Sequence, residues 1–165
     1  MLVSRYQAPW GPMLLMAEGE ALVGLRKKEE TCDGAMQDAT YGEAEILFRA
    51  KKWLDAYFAG EKPAPSELPL CLRGTDFQQA VWRELCRIPY GQTTTYGAIA
   101  RTIARQRGME RMSPQAVGGA VGRNPIGIIV PCHRVIGSDG GLAGYAGGLE
   151  IKEWLLRHEG VNIGR

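Results

Sequence analysis

The residues of this chain best equipped for chemistry are a thiol and an imidazole side by side in the run Pro131-Cys132-His133-Arg134. The thiolate is the reactive form of cysteine, and a nearby histidine or arginine can lower the thiol pKa from about 8.5 to between about 3.5 and 7.5, which makes a nucleophile. The apolar run Ile126 to Val130, bounded by Asn124-Pro125 and Pro131, reads as a buried strand leading into this pair. Successive residues of a strand face opposite ways. Either the chain bends at Pro131, or a water must link the two side chains. An isolated Cys-His pair is as readily a buried free thiol, so the surrounding elements decide its meaning.

Those elements fall into two parts. Leu2 to Tyr6, Met13 to Ala17 and Ala21 to Arg26 read as short strands, separated by the turn signals Trp10-Gly11-Pro12 and Gly19-Glu20. A polar stretch, Glu29 to Tyr41, follows. From Glu43 to Ala59, Ile46, Leu47, Ala50, Trp53, Leu54, Tyr57 and Phe58 recur at helical spacing and should cover one face of the small sheet. The segment from about 60 to 70, with Pro63, Pro65 and Pro69, is a linker by composition, which predicts domains at 1–70 and 71–165.

Beyond it the pattern is helical. Thr75 and Gln78 have capping-box spacing and open a helix through Arg87 that buries Phe77, Val81, Trp82 and Leu85. A second helix, begun near Thr94 or Thr95, places Tyr96, Ile99, Ala100 and Ile103 on one side. A basic loop, Arg105 to Met112, leads to Ser113 as N-cap and Pro114 as first residue of a third helix reaching about Arg123. The pair resembles a helix-turn-helix with a long turn. Ala116, Gly118, Gly119, Ala120 and Gly122 leave the third helix almost bare, which fits close packing on a neighbouring helix or close approach to a nucleic-acid groove. After the glycine-rich loop Arg134 to Gly148, a last helix from about Glu150 to His158 buries Ile151, Trp154 and Leu155.

Composition is that of an ordinary globular protein, 45% hydrophobic and 23% charged over 165 residues, except that it holds 22 glycines, ten of them between Gly118 and Gly148. The net charge of +2 conceals an asymmetry: residues 1–70 carry −3 and residues 71–165 carry +5, with six arginines against the single acid Glu110 between Arg101 and Arg134. Such a half meets either solvent or a polyanion. No run approaches the roughly 18 apolar residues of a membrane span and no signal-peptide core follows Met1, so a cytoplasmic location without membrane contact is expected. Cys32, Cys71, Cys86 and Cys132 form neither CxxC pairs nor a zinc pattern, and are expected to be thiols with no bound metal.

The run from Asn124 through Pro131-Cys132-His133-Arg134-Val135-Ile136-Gly137, with Gly144-Tyr145-Ala146-Gly147-Gly148 and Lys152-Glu153-Trp154-Leu155-Leu156, closely resembles the active-site region of the O6-alkylguanine-DNA alkyltransferases. The similarity runs from about Gly74 to Gly160. The resemblance implies an α+β protein: a small N-terminal ribonuclease-H-like domain and a C-terminal, mostly helical, winged-helix or helix-turn-helix-like catalytic domain. It implies single-turnover, irreversible transfer of the alkyl group of O6-alkylguanine, and of O4-alkylthymine, from a flipped-out base to Cys132, without a cofactor, by a monomer on the minor groove of duplex DNA.

On matching positions His133 would take the thiol proton through a water and Glu159 would fix its tautomer. Tyr96 would donate to the base, the Val135 carbonyl would accept from its exocyclic amine, Tyr145 and Ala146 would close over it, and Asn124 would fix the turn before the active-site segment. Thr95, Ser113, Pro114, Gln115, Ala116 and Gly118, with Arg111 and Arg123, would meet DNA. Gln115 departs from the family's usual arginine, and the expectation is that it fills the space of the flipped base while the loop arginines Arg105, Arg107 and Arg111 bind phosphate. Two other readings stay open: a cysteine hydrolase using Cys132, His133 and Asn124, and a non-catalytic binder of alkylated DNA on the same fold.

Overall fold

The computed structural model describes residues 1–27 and 39–163. They form two compact units, Met1–Arg73 with Pro125–Ile129, and Gly74–Asn124 with Val130–Arg165. In the first, β1 (Leu2–Ala8), β2 (Gly11–Glu18) and β3 (Ala21–Lys27) make an antiparallel meander, and β4 (Thr40–Tyr41) adds in parallel to β1, giving the order β3-β2-β1-β4. The β2–β3 register shifts at Met16/Ala17. There Gly24 lies so close to Met16 that a Cβ would stand 2.6 Å from its methyl carbon. Helix α1 (Glu45–Phe58) buries the expected stripe Ile46, Leu47, Ala50, Trp53, Leu54 and Tyr57 and packs on the sheet.

Two sequence expectations need correction here. The proline-rich stretch 60–70 is no free tether: Trp53 Nε1 donates to the Ala64 carbonyl at 2.8 Å, and Leu22 exchanges backbone hydrogen bonds with Pro69 and Cys71. Nor is Ile126 to Val130 a strand. Only Ile126 bridges to Leu25, Ile128 has φ +67°, and Ile129 N–H donates back to Gly127 O at 2.7 Å, so the run is a buried set of turns, of which Ile126 to Ile129 belong to the first unit and Val130 to the second. Five apolar residues between prolines give burial but no periodicity that separates a strand from turns. Cys32 lies outside the described residues, as does most of the polar stretch 29–41.

The second unit opens with three of its helices. Helix α2 (Asp76–Leu85) starts with the predicted capping box, Thr75 Oγ1 accepting from Gln78 N–H and the Gln78 side chain accepting from Thr75 N–H. Thr95 caps α3 (Tyr96–Gln106), and Ser113 caps α4 (Pro114–Gly122) with Pro114 as its first residue. Arg105 therefore belongs to α3 and not to the loop expected from Arg105 onward. The short parallel pair β5 (Thr94–Thr95) and β6 (Val135–Ile136), unforeseen in the sequence, shortens the glycine-rich loop and ties the start of α3 to the residues after the Cys-His pair.

Helix α5 (Leu149–His158) buries Ile151, Lys152, Leu155 and Leu156. Trp154, expected inside, is 36% exposed and stacks on the His158 ring at 4.9 Å; the buried stripe is turned by one residue so that Lys152 points inward. Among the described residues no helix is long and apolar enough to cross a membrane.

Helices α2 and α3 both pack on α4, and Trp82 Nε1 donates to the Ala120 carbonyl at 2.8 Å, which fixes the height of α4 on α2. Replacing Trp82 by Phe removes that donor and leaves part of the buried indole's volume unfilled. The Ala120 carbonyl retains Arg123 N–H at 3.2 Å, so urea denaturation is expected to show a loss of about 1 kcal/mol for the neutral hydrogen bond and about 1 kcal/mol or more for the cavity.

Candidate active site

Pro131 ends the turns, and Cys132–Arg134 form one turn of 3₁₀ helix. This removes the objection from strand geometry, since Cys132 and His133 no longer alternate across a sheet. All three side chains are buried. The imidazole Nε2 of His133 lies 2.5 Å from Glu159 Oε2, at the C-cap of α5. Arg134 Nε donates to Glu159 Oε1 at 2.8 Å, Arg134 Nη2 to Glu159 Oε2 at 3.2 Å, and Arg134 Nη1 to the Ile88 carbonyl at 2.7 Å. Gly91 N–H also donates to Glu159 Oε1, at 3.0 Å. Gly91 has φ +79°, and a Cβ on it would stand 3.1 Å from the Glu159 carbonyl, so this close approach calls for glycine.

These contacts set the charges. Burial opposes ionisation of Glu159, but the hydrogen bonds and charges of His133 and Arg134 outweigh it and hold the carboxyl at about 2. Burial pushes the His133 imidazole down despite Glu159, with Arg134 and Lys152 adding to the effect, so the ring is neutral near pH 7. An ionised carboxylate can only accept, so Nε2 carries the proton and Nδ1 holds a lone pair. Nδ1 is buried with no hydrogen-bond partner among the described residues. The ring is thus held in the tautomer of a base.

The thiol departs from expectation. Its neighbours were expected to lower the Cys132 pKa, yet burial raises it, and only in part is this offset by hydrogen bonds from Asn124 and Tyr145 and by the Lys152 charge. The reason is local: His133 is neutral and the Arg134 guanidinium is engaged by Glu159 and Ile88. Cys132 therefore rests as a thiol and needs a base at the moment of reaction. Cys71, Cys86 and Cys132 are all free thiols.

Around this sulfur the structure gathers most of the residues singled out from sequence. Asn124 also donates to the Val130 carbonyl at 2.9 Å, clamping the chain on either side of the buried turns. Tyr96 is half-buried, and burial together with Cys132 raises its phenol pKa. Tyr145 leans over Gly147, where a Cβ would meet its ring at 2.8 Å. Ala146 is exposed on the same loop. The Val135 carbonyl already accepts from Lys152 Nζ at 2.6 Å.

Lys152 is the residue the sequence reading passed over. Wholly buried, its ammonium donates to the carbonyls of Val135, Leu142 and Gly144, and burial lowers its pKa to about 8 although Cys132 works against this. One ion thus ties the glycine-rich loop to β6. Its signal was a lysine inside the apolar stripe Ile151, Leu155, Leu156.

The residues expected to meet DNA share α3, α4 and their connection. Ser113, Pro114, Gln115, Ala116, Arg111 and Arg123 are exposed. Thr95 Oγ1 and Ser113 Oγ serve as caps, and Ser113 Oγ also donates to Gln115 Oε1 at 3.0 Å, leaving the Gln115 amide N–H groups to face outward as donors. Arg107 lies over the Phe77 ring at 5.6 Å. A Cβ on Gly118 would make ordinary contact with Tyr96 at 3.7 Å, whereas Gly119 and Gly122 have open space where a side chain would stand. Packing within the protein does not account for those two glycines.

Glu159→Gln would leave Arg134 buried without its carboxylate and should cost about 3–5 kcal/mol in chemical denaturation. The parent should show the matching acid sensitivity. The Glu159 pKa lies below its unfolded value, so its stabilisation is complete above about pH 4.5 and is lost as pH falls towards about 2. A variant as stable as the parent at pH 7 would contradict the ion cluster.

Residues 76–161 match the family model for the 6-O-methylguanine DNA methyltransferase DNA binding domain, and residues 1–72 that for the ribonuclease-like domain of the same family. A methylated-DNA-protein-cysteine methyltransferase of Methanosarcina acetivorans is 44% identical over 162 residues, covering 97% of this chain and 99% of its own. One from Mycobacterium bovis is 45% identical over 152 residues, covering 92% and 88%. The crystal structure of Mycobacterium tuberculosis OGT in complex with DNA has a TM-score of 0.82 at 44% identity, over 96% of this chain and 92% of that one. With two family models spanning nearly all of it and a buried Cys-His-Glu cluster at its centre, the chain belongs to the 6-O-methylguanine DNA methyltransferase family.

Proposed function

We propose that this protein repairs alkylated DNA by moving the alkyl group from O6 of guanine, or O4 of thymine, onto Cys132, once per molecule. The observation that carries the reading is the tautomer of His133: ionised Glu159 holds the proton on Nε2 and leaves Nδ1 basic and, among the described residues, without a hydrogen-bond partner, in the same turn as a buried, un-ionised thiol. In the reaction the Cys132 proton passes through a water to Nδ1. The sulfur attacks the alkyl carbon, the bond from that carbon to oxygen breaks, and its electron pair goes to the base. Tyr96 donates to the base as this charge develops. The proton on His133 passes to water and the dealkylated base takes one up from water, so the base leaves neutral and the thioether remains on the protein.

The base reaches the sulfur by leaving the duplex. The α4 surface approaches from the minor groove, and Gln115 presents its N–H donors to the acceptors of the unpaired partner base. The Val135 carbonyl, with a second lone pair beside the one used by Lys152, accepts from the exocyclic amine of guanine, while Tyr145 and Ala146 cover it. Thr95, Arg111 and Arg123 sit against the backbone. The protein works as a monomer in the cytoplasm, the part from 1 to about 70 serving as the ribonuclease-H-like domain and that from 71 onward as the catalytic one.

Incubation with a duplex containing O6-methylguanine should add one methyl group to the peptide carrying Cys132, read by mass spectrometry, and Cys132→Ala should abolish the addition. Unmodified protein with a hydrolysed product would overturn the reading and favour a cysteine hydrolase. Gly119→Ala gives a prediction of opposite signs. It should stabilise the protein by up to about 1 kcal/mol, because glycine is unfavourable inside a helix, while weakening duplex binding severalfold in a fluorescence titration. Stabilisation without loss of binding would remove Gly119 from the interface.

A further inference from the structure

Helix α3 carries a feature that the alkyl transfer does not use. Ala98, Arg101, Thr102 and Arg105 share one face of the helix, and Met109 and Glu110 from the following loop close over it, enclosing an open cavity of about 390 Å³. Both arginines are exposed, and among the described residues neither pairs with a carboxylate, although Glu110 lines the same cavity. Thr102 Oγ1 donates to the Ala98 carbonyl at 3.1 Å and accepts from Arg105 Nη2 at 3.4 Å, which holds one guanidinium against the helix. Arg105 near the helix C-terminus has a purely structural use there, in complementing the helix dipole. Arg101, in the middle of α3, has none.

We infer that the Arg101–Arg105 cavity binds one phosphodiester of duplex DNA, outside the contacts made by α4. Two exposed guanidiniums one helical turn apart line the cavity and present N–H donors of the kind that recognise phosphate oxygens. The cavity lies on the side of α3 away from its buried residues Ile99, Ala100 and Ile103, where a ligand can reach it. A contact of this kind carries no base information and holds damaged and undamaged duplex alike. It also supplies, away from the lesion, positive charge that Gln115 does not provide. Glu110 opposes the bound anion, so its removal should strengthen binding. The inference rests on the DNA-repair reading above.

The test is the salt dependence of duplex binding for the parent, for Arg101→Gln/Arg105→Gln, and for a control of equal charge loss on other helices, Arg83→Gln/Arg157→Gln. Neutralising one phosphate contributes about 0.9 to the slope of log K against log salt. The cavity variant should lose about that amount on lesion-containing and undamaged duplexes equally, the control variant should not, and Glu110→Gln should bind severalfold more tightly. An unchanged slope, an equal change in the control, a change confined to the lesion duplex, or no gain from Glu110→Gln would each overturn the cavity assignment. Methyl transfer by the parent is measured on the same lesion duplex. Its absence would overturn the repair reading, whereas its presence with an unchanged slope overturns the cavity alone.

Discussion

A carboxylate that must remain ionised where water is excluded sets the terms for the rest of the catalytic unit. Glu159 is stable there because its two oxygens are met by donors from two pieces of chain: the guanidinium and imidazole of the 132–134 turn, and the Gly91 amide of the turn after α2. Removing any donor leaves a charge without compensation in a medium of low dielectric constant, so the elements that carry them are coupled. The end of α5, the turn after α2 and the cysteine segment thus hold one arrangement. The basicity of His133 follows from it, since the same carboxylate that anchors Arg134 dictates which nitrogen keeps the proton.

Helix α4 shows a different compromise. Ser113 and Pro114 give it a strong start, and Trp82 secures its far end, yet its exposed face is left nearly without side chains. Intrinsic helix stability is low at three of its nine positions because they are glycine. The neighbouring helices supply the missing stability by packing, which leaves the outer surface free to be shaped for a partner. A rigid support beneath a thin surface suits close approach of two backbones better than a loop would, because a loop must be ordered at the moment of contact.

What was legible in the sequence was local or carried by the family pattern. The caps at Thr75, Thr95 and Ser113 were readable because they depend on a side chain and an amide three residues away. The stripe of α1 followed from periodicity. The 126–130 turns, the β5–β6 pair and the inward rotation of α5 were not readable, since each is decided by contacts between distant segments. The candidate nucleophile came from the Pro131-Cys132-His133-Arg134 run, but the direction of its pKa did not. That depends on burial and on where the Arg134 guanidinium is engaged, and neither is a property of neighbours in sequence.

Lys152 has a consequence that reaches beyond the site's geometry. Its proton is bound more weakly in the folded protein than in the unfolded chain, so as pH rises from about 8 towards the ordinary lysine value this one group's contribution to folding rises, against the opposite contributions of Cys132 and Tyr96, whose pKa values burial raises. The same change leaves a neutral amine with two N–H groups facing three carbonyls. Alkaline solution therefore slackens the attachment of the Leu142–Gly144 backbone even though the Lys152 titration by itself favours the folded state. Amide hydrogen exchange in the covering loop is then governed by the charge of one buried amine and is separable from the global unfolding equilibrium.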